Sequence, residues 1–171
     1  MSGVGNRLLG LCLPPLLFCL LDASVTLLGQ SAAYWAGDYL RVNEGSPTFN
    51  HLLQIHPLVY VAGIVVWVAI FVGIILLSPD ILALIFSIAV TFGHAAGAAT
   101  WLLWQFHYAY QVVNGLLLVS AVLLGLGIRY GWRAVPSCEC RFSGWPTGLR
   151  WLLIAGLAGV GVYLFLWPRM P

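Results

Sequence analysis

Ionisable and amide side chains inside long apolar runs are the residues of this chain whose chemistry stands out. Asp22, Thr26 and Gln30 are spaced four residues apart and so share one face of a helix. His94 stands near the middle of another apolar run. Polar groups are costly in a hydrocarbon environment, so those that occur there mark functional sites or hydrogen bonds between helices. The polar residues in these two apolar runs are therefore the strongest candidates for a functional site.

Other polar residues are expected at a depth similar to that of Asp22. If the chain crosses a bilayer five times, several of them fall within the outer ~10–12 Å of the membrane at 1.5 Å per residue. We predict an outward-facing polar pocket between the first four spans that binds a small ligand or a proton, roofed by the first loop. The candidate binding residues are Asp22, Thr26, Glu44, His56, His94, Gln105 and Asn114.

A metal or haem site is one alternative. Histidine and carboxylate are suitable ligands for zinc or iron, which makes His56, His94 and His107 candidates. No H-x-x-x-H pair occurs on one helix, however, and His56 and His94 differ in depth by about 10 Å on helical rise. No cofactor is therefore favoured.

An accessory subunit of a larger membrane complex is the other alternative. In that case the polar groups would hold the protein against partner helices by hydrogen bonds. Catalysis is disfavoured because the chain has no G-x-S-x-G elbow and no phosphate-binding loop. A nucleic-acid partner is not expected, because the net charge is only +2.

The composition indicates an all-α integral membrane bundle forming a single domain over residues 1–171. Hydrophobic residues make up 61% of the chain and charged residues 7%, against about 25% charged in a typical soluble domain. Taking about 20 apolar residues per crossing, we predict five transmembrane helices. They lie at about residues 8–30, 48–77, 79–106, 110–128 and 151–167. Four would remain if the first were cleaved as a signal peptide.

The distribution of arginine predicts the topology, because cytoplasmic loops are enriched in basic residues. Five crossings place most of the arginines on one side: Arg7, Arg129, Arg133, Arg141 and Arg150. The N-terminus is then cytoplasmic and the C-terminus outside, in the cell (inner) membrane. The bilayer is the expected partner, together with possible further membrane subunits.

Prolines mark the expected joints between helices. Ser46-Pro47 and Ser78-Pro79 each place a helix-capping serine before a proline at the first helical position. Pro57 lies inside the second predicted span, where it removes the hydrogen bond to the carbonyl of Leu53. We expect a kink there and a carbonyl available to a neighbour.

Two short motifs resemble a known family. Asp22-x-x-x-Thr26 in the first span and Glu44-Gly45-Ser46-Pro47 before the second are similar to motifs of a group of small bacterial membrane proteins classed as a domain of unknown function. Those proteins carry Asp-x-x-x-Thr in the first helix and Glu-x-Asn-Pro before the second. The resemblance implies that Asp22, Thr26, Glu44 and Pro47 belong to one site, and it implies no activity.

The resemblance covers roughly Leu16 to Leu118, and Asn114 matches an asparagine that the family often carries in a later helix. The chain departs from the family pattern in three respects. Ser46 stands in place of the asparagine, the first loop is longer, and the fifth predicted span has no counterpart.

Overall fold

The computed structural model describes residues 8–133 and 146–166, with side chains over 10–129 and 146–159. Every element in these two ranges is helical, which confirms the all-α prediction for them. Arg7, Arg141 and the end of the fifth predicted span at residue 167 lie outside the described residues. The helices are α1 (Leu13–Leu28), α2 (Ala32–Trp35), α3 (Pro47–Ile55), α4 (Pro57–Leu77), α5 (Asp80–Thr100), α6 (Tyr110–Arg133) and α7 (Thr147–Leu166). A π-helical turn, Leu8–Cys12, precedes α1, and a second one, Trp101–Gln105, continues α5.

Four segments are long and apolar enough to cross a membrane: Gly10–Leu28, Pro57–Leu77, Asp80–Gln105 and Tyr110–Arg129. In α7 the apolar segment with described side chains, Thr147–Gly159, is shorter than these four candidate spans. The part of the chain that the structure describes therefore gives four candidate spans, and the fifth predicted span is not established.

The helix α1 occupies the centre of the bundle and packs most extensively against α5. Phe18 and Cys19 of α1 are fully or almost fully buried, as are Phe71 and Ile75 of α4. The helices α4 and α5 form a tight hairpin, because α4 ends at Leu77 and α5 begins at Asp80. α1, α4 and α5 therefore form the frame of the site described below.

The second predicted span, residues 48–77, is two helices and not one kinked helix. α3 ends at Ile55, His56 adopts an extended backbone, and α4 begins at Pro57. Proline at the first helical position lacks only an N–H that no helix would use, so it starts α4 without cost. The kink predicted from Pro57 is thus a complete break.

Each of two prolines leaves a carbonyl free, and a hydroxyl from another element binds it. The Tyr34 hydroxyl donates to the Leu53 carbonyl at 3.1 Å, four residues before Pro57. The Ser87 hydroxyl donates to the Leu11 carbonyl at 2.6 Å, four residues before Pro15. Because buried carbonyls need a partner, these bonds tie α2 to α3 and α5 to the N-terminal π-turn.

Candidate functional site

A cavity of about 920 Å³ lies between α1, α3, α4, α5 and the end of the first loop. Its polar lining residues are Asp22, Thr26, Asn43, Glu44, Ser46, Thr48, His94, Thr100 and Gln105. Its aromatic lining residues are Phe49, Tyr60, Trp67, Phe86, Trp101 and Trp104. Pockets for small ligands typically enclose about 300–1,000 Å³ and combine apolar walls with a few convergent polar groups. This cavity has both properties.

Asp22, His94 and Trp67 form a hydrogen-bonded chain along one wall of the cavity. The distance between His94 Nδ1 and Asp22 Oδ2 is 2.8 Å, and the Trp67 indole N–H donates to His94 Nε2 at 3.0 Å. An indole nitrogen can only donate, so Nε2 must be an acceptor and the imidazole proton sits on Nδ1. His94 is therefore neutral and donates to the Asp22 carboxylate.

A glycine allows the Asp22 carboxylate to lie against α5. A Cβ atom at Gly97 would stand 2.8 Å from each carboxylate oxygen of Asp22. The sequence shows Gly93 and Gly97 as a G-x-x-x-G pair that lets another helix approach. The two glycines differ in the structure, because a Cβ at Gly93 would meet no atom within 4 Å. Gly97 makes room for Asp22, whereas Gly93 faces open space in the cavity wall.

Glu44 enters the cavity from the loop before α3. Its Oε1 accepts the backbone N–H of Ser46 at 2.6 Å, and its carboxyl also bonds the Thr26 side chain. Thr26 bonds the Tyr60 side chain as well, so it links α1 to both the loop and α4. Burial raises the pKa of the Glu44 carboxyl and the charge of Asp22 raises it further, although the N–H of Ser46 opposes the shift.

Three amide side chains, Gln30, Asn43 and Gln105, connect the first loop to the helices at the Gln105 end of the cavity. The Gln30 side chain accepts the backbone N–H of Asn43 at 2.8 Å and donates to its carbonyl at 2.9 Å. The Asn43 amide donates to Gln105 Oε1 at 3.0 Å, and Gln105 in turn donates to the carbonyl of Gly29 at 3.1 Å. These bonds hold the first loop against the ends of α1 and α5.

Of the seven candidate residues, five line this one cavity: Asp22, Thr26, Glu44, His94 and Gln105. The other two, His56 and Asn114, are not among its lining residues. His56 caps α4, because its Nδ1 accepts the backbone N–H of Leu58 at 3.1 Å and its ring packs edge-on against Tyr39. Asn114 is exposed on α6, a helix that contributes nothing to the described lining.

Neither a metal-ligand cluster nor an Asp–His–nucleophile triad is formed by the described residues of this site. Within the described ranges, no three His, Cys, Asp or Glu side chains are placed to hold one metal ion. His107 lies beyond the cavity in a left-handed backbone conformation, with φ of 54°. In an Asp–His–nucleophile triad the second ring nitrogen faces a hydroxyl or thiol, whereas here Trp67 occupies it.

Two residues of the site, Trp67 and Asn43, were not predicted from the sequence. Trp67 reads as part of an apolar span, and Asn43 as part of a solvated loop. A signal for Trp67 did exist: it lies twelve residues before Pro79, and His94 lies fifteen after it. In a tight hairpin these positions face each other at similar depth. No comparable signal indicates Asn43, whose place depends on the path of the loop.

Comparison with known proteins gives no relative: no family model, no curated protein and no solved structure matches the chain. Any assignment of function therefore depends on the geometry of the cavity.

Proposed function

We propose that the protein is a multi-pass membrane protein that binds a small, largely apolar ligand in the cavity between α1, α3, α4 and α5. The observation that carries this proposal is the size and composition of the cavity. It encloses about 920 Å³ and is lined by six aromatic side chains and several polar ones, among them Asp22 and Glu44. Sites of this kind bury most of a ligand's surface and fix its orientation by a few polar contacts.

Membrane embedding is supported by the outer surface of the bundle. Large apolar side chains are exposed on all four candidate spans, for example Leu20, Val65, Phe92 and Leu118. A soluble monomer rarely exposes contiguous apolar surface on this scale. The distribution of the arginines supports the orientation that we propose. The protein lies in the inner membrane with its N-terminus on the cytoplasmic side, and the cavity faces outward.

The geometry favours ligand binding over proton transfer through His94. A histidine that relays protons must exchange them at both ring nitrogens. In this site Nε2 accepts from Trp67, and an imidazolium would place two N–H groups against each other. The Asp22–His94 pair is therefore better suited to a fixed wall of the cavity, with the carboxylate available to a ligand.

Blocking the cavity tests the proposal. Gly93 lines the cavity and a Cβ there meets no atom within 4 Å, so Gly93→Leu would add a side chain to the cavity and reduce the space for a ligand. Gly125 is a matched control, because its Cβ also meets no atom and it lies outside the lining. Native mass spectrometry of the full chain in mild detergent, followed by solvent extraction, detects small molecules that co-purify.

We expect the wild type and Gly125→Leu to carry the same bound molecule and Gly93→Leu to lose it. Equal loading of all three proteins, or none in any of them after purification from native membranes, would contradict the proposal.

A second candidate function is that of an accessory subunit, and one observation favours it. Only 17% of the apolar window of α6 is buried within the bundle, so most of that helix is free to contact lipid or a partner helix. A protein that co-purifies in fixed stoichiometry, and is lost when Leu118 and Val122 are changed to larger residues, would support this function. The family resemblance of the motifs at Asp22 and Glu44 also remains a proposal, and it suggests no activity.

A further inference from the structure

We infer that the ligand of the cavity is an organic cation with an apolar body, such as a substituted amine or a quaternary ammonium or phosphonium ion. This inference rests on the proposed ligand-binding function and specifies the chemical class of the ligand. It follows from the charges and the aromatic surface of the cavity.

The described lining of the cavity contains two carboxyl groups and no basic side chain other than His94. Asp22 and Glu44 both line it, and no Arg is among its lining residues. The chain has no lysine at all. Arg41, the nearest arginine along the chain, is 73% exposed and pairs with Asp38 at 2.9 Å. Among the described residues, the lining of the cavity therefore offers no arginine or lysine to balance its carboxylates.

His94 does not supply the missing positive charge. Its Nε2 accepts the indole N–H of Trp67, so the ring that contacts Asp22 is neutral. The Asp22 carboxylate is thus oriented by a hydrogen bond but not neutralised. A charge in an apolar environment is costly without a counter-ion, and a bound cation provides one.

Aromatic rings in the lining of the cavity suit the rest of such a ligand. Trp67, Trp101 and Trp104 line the cavity, as do Phe49 and Tyr60. The face of an aromatic ring attracts cations, most strongly in Trp, and quaternary ammonium groups are often held in this way. The same rings bury the apolar body of the ligand.

Other ligand classes fit less well. A phosphate or carboxylate ligand would meet two carboxyl groups and no Arg or Lys. A bare metal ion needs several oxygen or nitrogen ligands, and the described residues hold no such cluster. The charge of Asp22 raises the pKa of the Glu44 carboxyl, and a cation between the two groups would relieve that repulsion.

Binding of two ions of matched shape and opposite charge tests the inference. Radiolabelled tetraphenylphosphonium and tetraphenylborate are equilibrated at pH 7 with the purified full chain in mild detergent. Gly93→Leu, with the cavity narrowed, corrects for uptake by the micelle. We expect the wild type to bind the phosphonium at least tenfold more tightly than Gly93→Leu does, and the borate to show no difference between the two proteins.

Removing the carboxylates gives the second part of the test. Asp22→Asn keeps a hydrogen-bond acceptor for His94, and we expect it to weaken phosphonium binding at least tenfold. Glu44→Gln serves as a second variant if Asp22→Asn proves unstable. Equal binding of borate and phosphonium by the wild type, or binding insensitive to both substitutions, would overturn the inference.

The two proposals can fail separately. If Gly93→Leu loses its co-purified molecule but the wild type does not prefer the phosphonium, the ligand site stands and the cation inference falls. If the wild type neither carries a molecule nor binds either ion, both fall.

Discussion

The hydroxyl of Tyr34 donates to the carbonyl of Leu53, the carbonyl that Pro57 deprives of its helical partner. Both residues are fully buried. The bond fixes the end of α3 to α2, and α3 supplies Phe49 and Leu52 to the cavity wall. The break in the helix at Pro57 is thus part of how the cavity is built.

Tyr34→Phe should destabilise the protein by about 1–3 kcal/mol, because it leaves a buried carbonyl without a partner. The measurement is the thermal unfolding midpoint in one detergent. Tyr108→Phe is the control, since Tyr108 is 50% exposed and lies outside the core. Equal midpoints for the two variants would show that the Leu53 carbonyl does not depend on Tyr34.

Pro57 illustrates which features of the fold can be predicted from the sequence and which cannot. It predicts a disturbed helix and the carbonyl that is set free, and both are found. It does not predict the partner, because Tyr34 lies nineteen residues before Leu53, in a separate short helix. Helical periodicity describes neighbours within one span, and it carries no information on how a loop returns to the bundle.

The candidate site shows the same limit. Spacing within α1 and α5 brought Asp22, Thr26 and His94 to attention, and these residues do line one cavity. Expected depth in the membrane placed His56 with them, but Pro57 starts a new helix there and His56 is its cap, with an extended backbone. Trp67 was counted only as an apolar residue, although its indole N–H donates to His94 Nε2 and so determines which ring nitrogen of His94 carries the proton.

Gly97→Ala should disrupt the Asp22–His94 bond. The new Cβ would stand 2.8 Å from both carboxylate oxygens, so Asp22 must move away from α5. We expect a loss of about 1–3 kcal/mol in stability, which is typical of overpacking. Gly93→Ala, one turn earlier, should be neutral or stabilising by up to about 1 kcal/mol, since its Cβ meets nothing and alanine favours the helix. Thermal midpoints that fall equally in both variants would contradict this account.

Gln30→Leu should loosen the loop over the cavity. It removes two hydrogen bonds to the backbone of Asn43 and one to the carbonyl of Thr26. At about 0.5–1.5 kcal/mol per bond, amide hydrogen exchange at Asn43 should accelerate about tenfold or more. Gln54→Leu is the matched control, because Gln54 is exposed and bonds only Asn50 within α3. Unchanged exchange at Asn43 in Gln30→Leu would show that the loop is held by other contacts.

Glu44 should make stability depend on pH. Burial of the Glu44 carboxyl raises its pKa above the ordinary value of 4.5. The N–H of Ser46 opposes this shift, and the charge of Asp22 adds to it. Tyr60 also faces the Glu44 carboxyl. A carboxyl with a raised pKa stabilises the folded state most below its ordinary value. That contribution is lost as the pH rises through the raised value. The glutamine in Glu44→Gln cannot titrate. The thermal unfolding midpoint of this variant should therefore fall less between pH 4 and pH 8 than that of the wild type. Parallel curves for the two proteins would contradict the assignment.

Reactivity of a cysteine placed at Gly93 tests most directly whether the cavity opens outward to water. Gly93 lies twelve residues below Gln105, about 18 Å into the bundle on helical rise, and Gly125 lies at a comparable depth on α6, outside the cavity. Both cysteines are introduced into a chain whose four native cysteines are replaced, and intact cells are treated with a membrane-impermeant, water-soluble thiol reagent. The account predicts that Gly93→Cys is labelled from outside and Gly125→Cys is not. Labelling of Gly93→Cys only by a lipid-soluble reagent, or equal labelling of both positions, would contradict it.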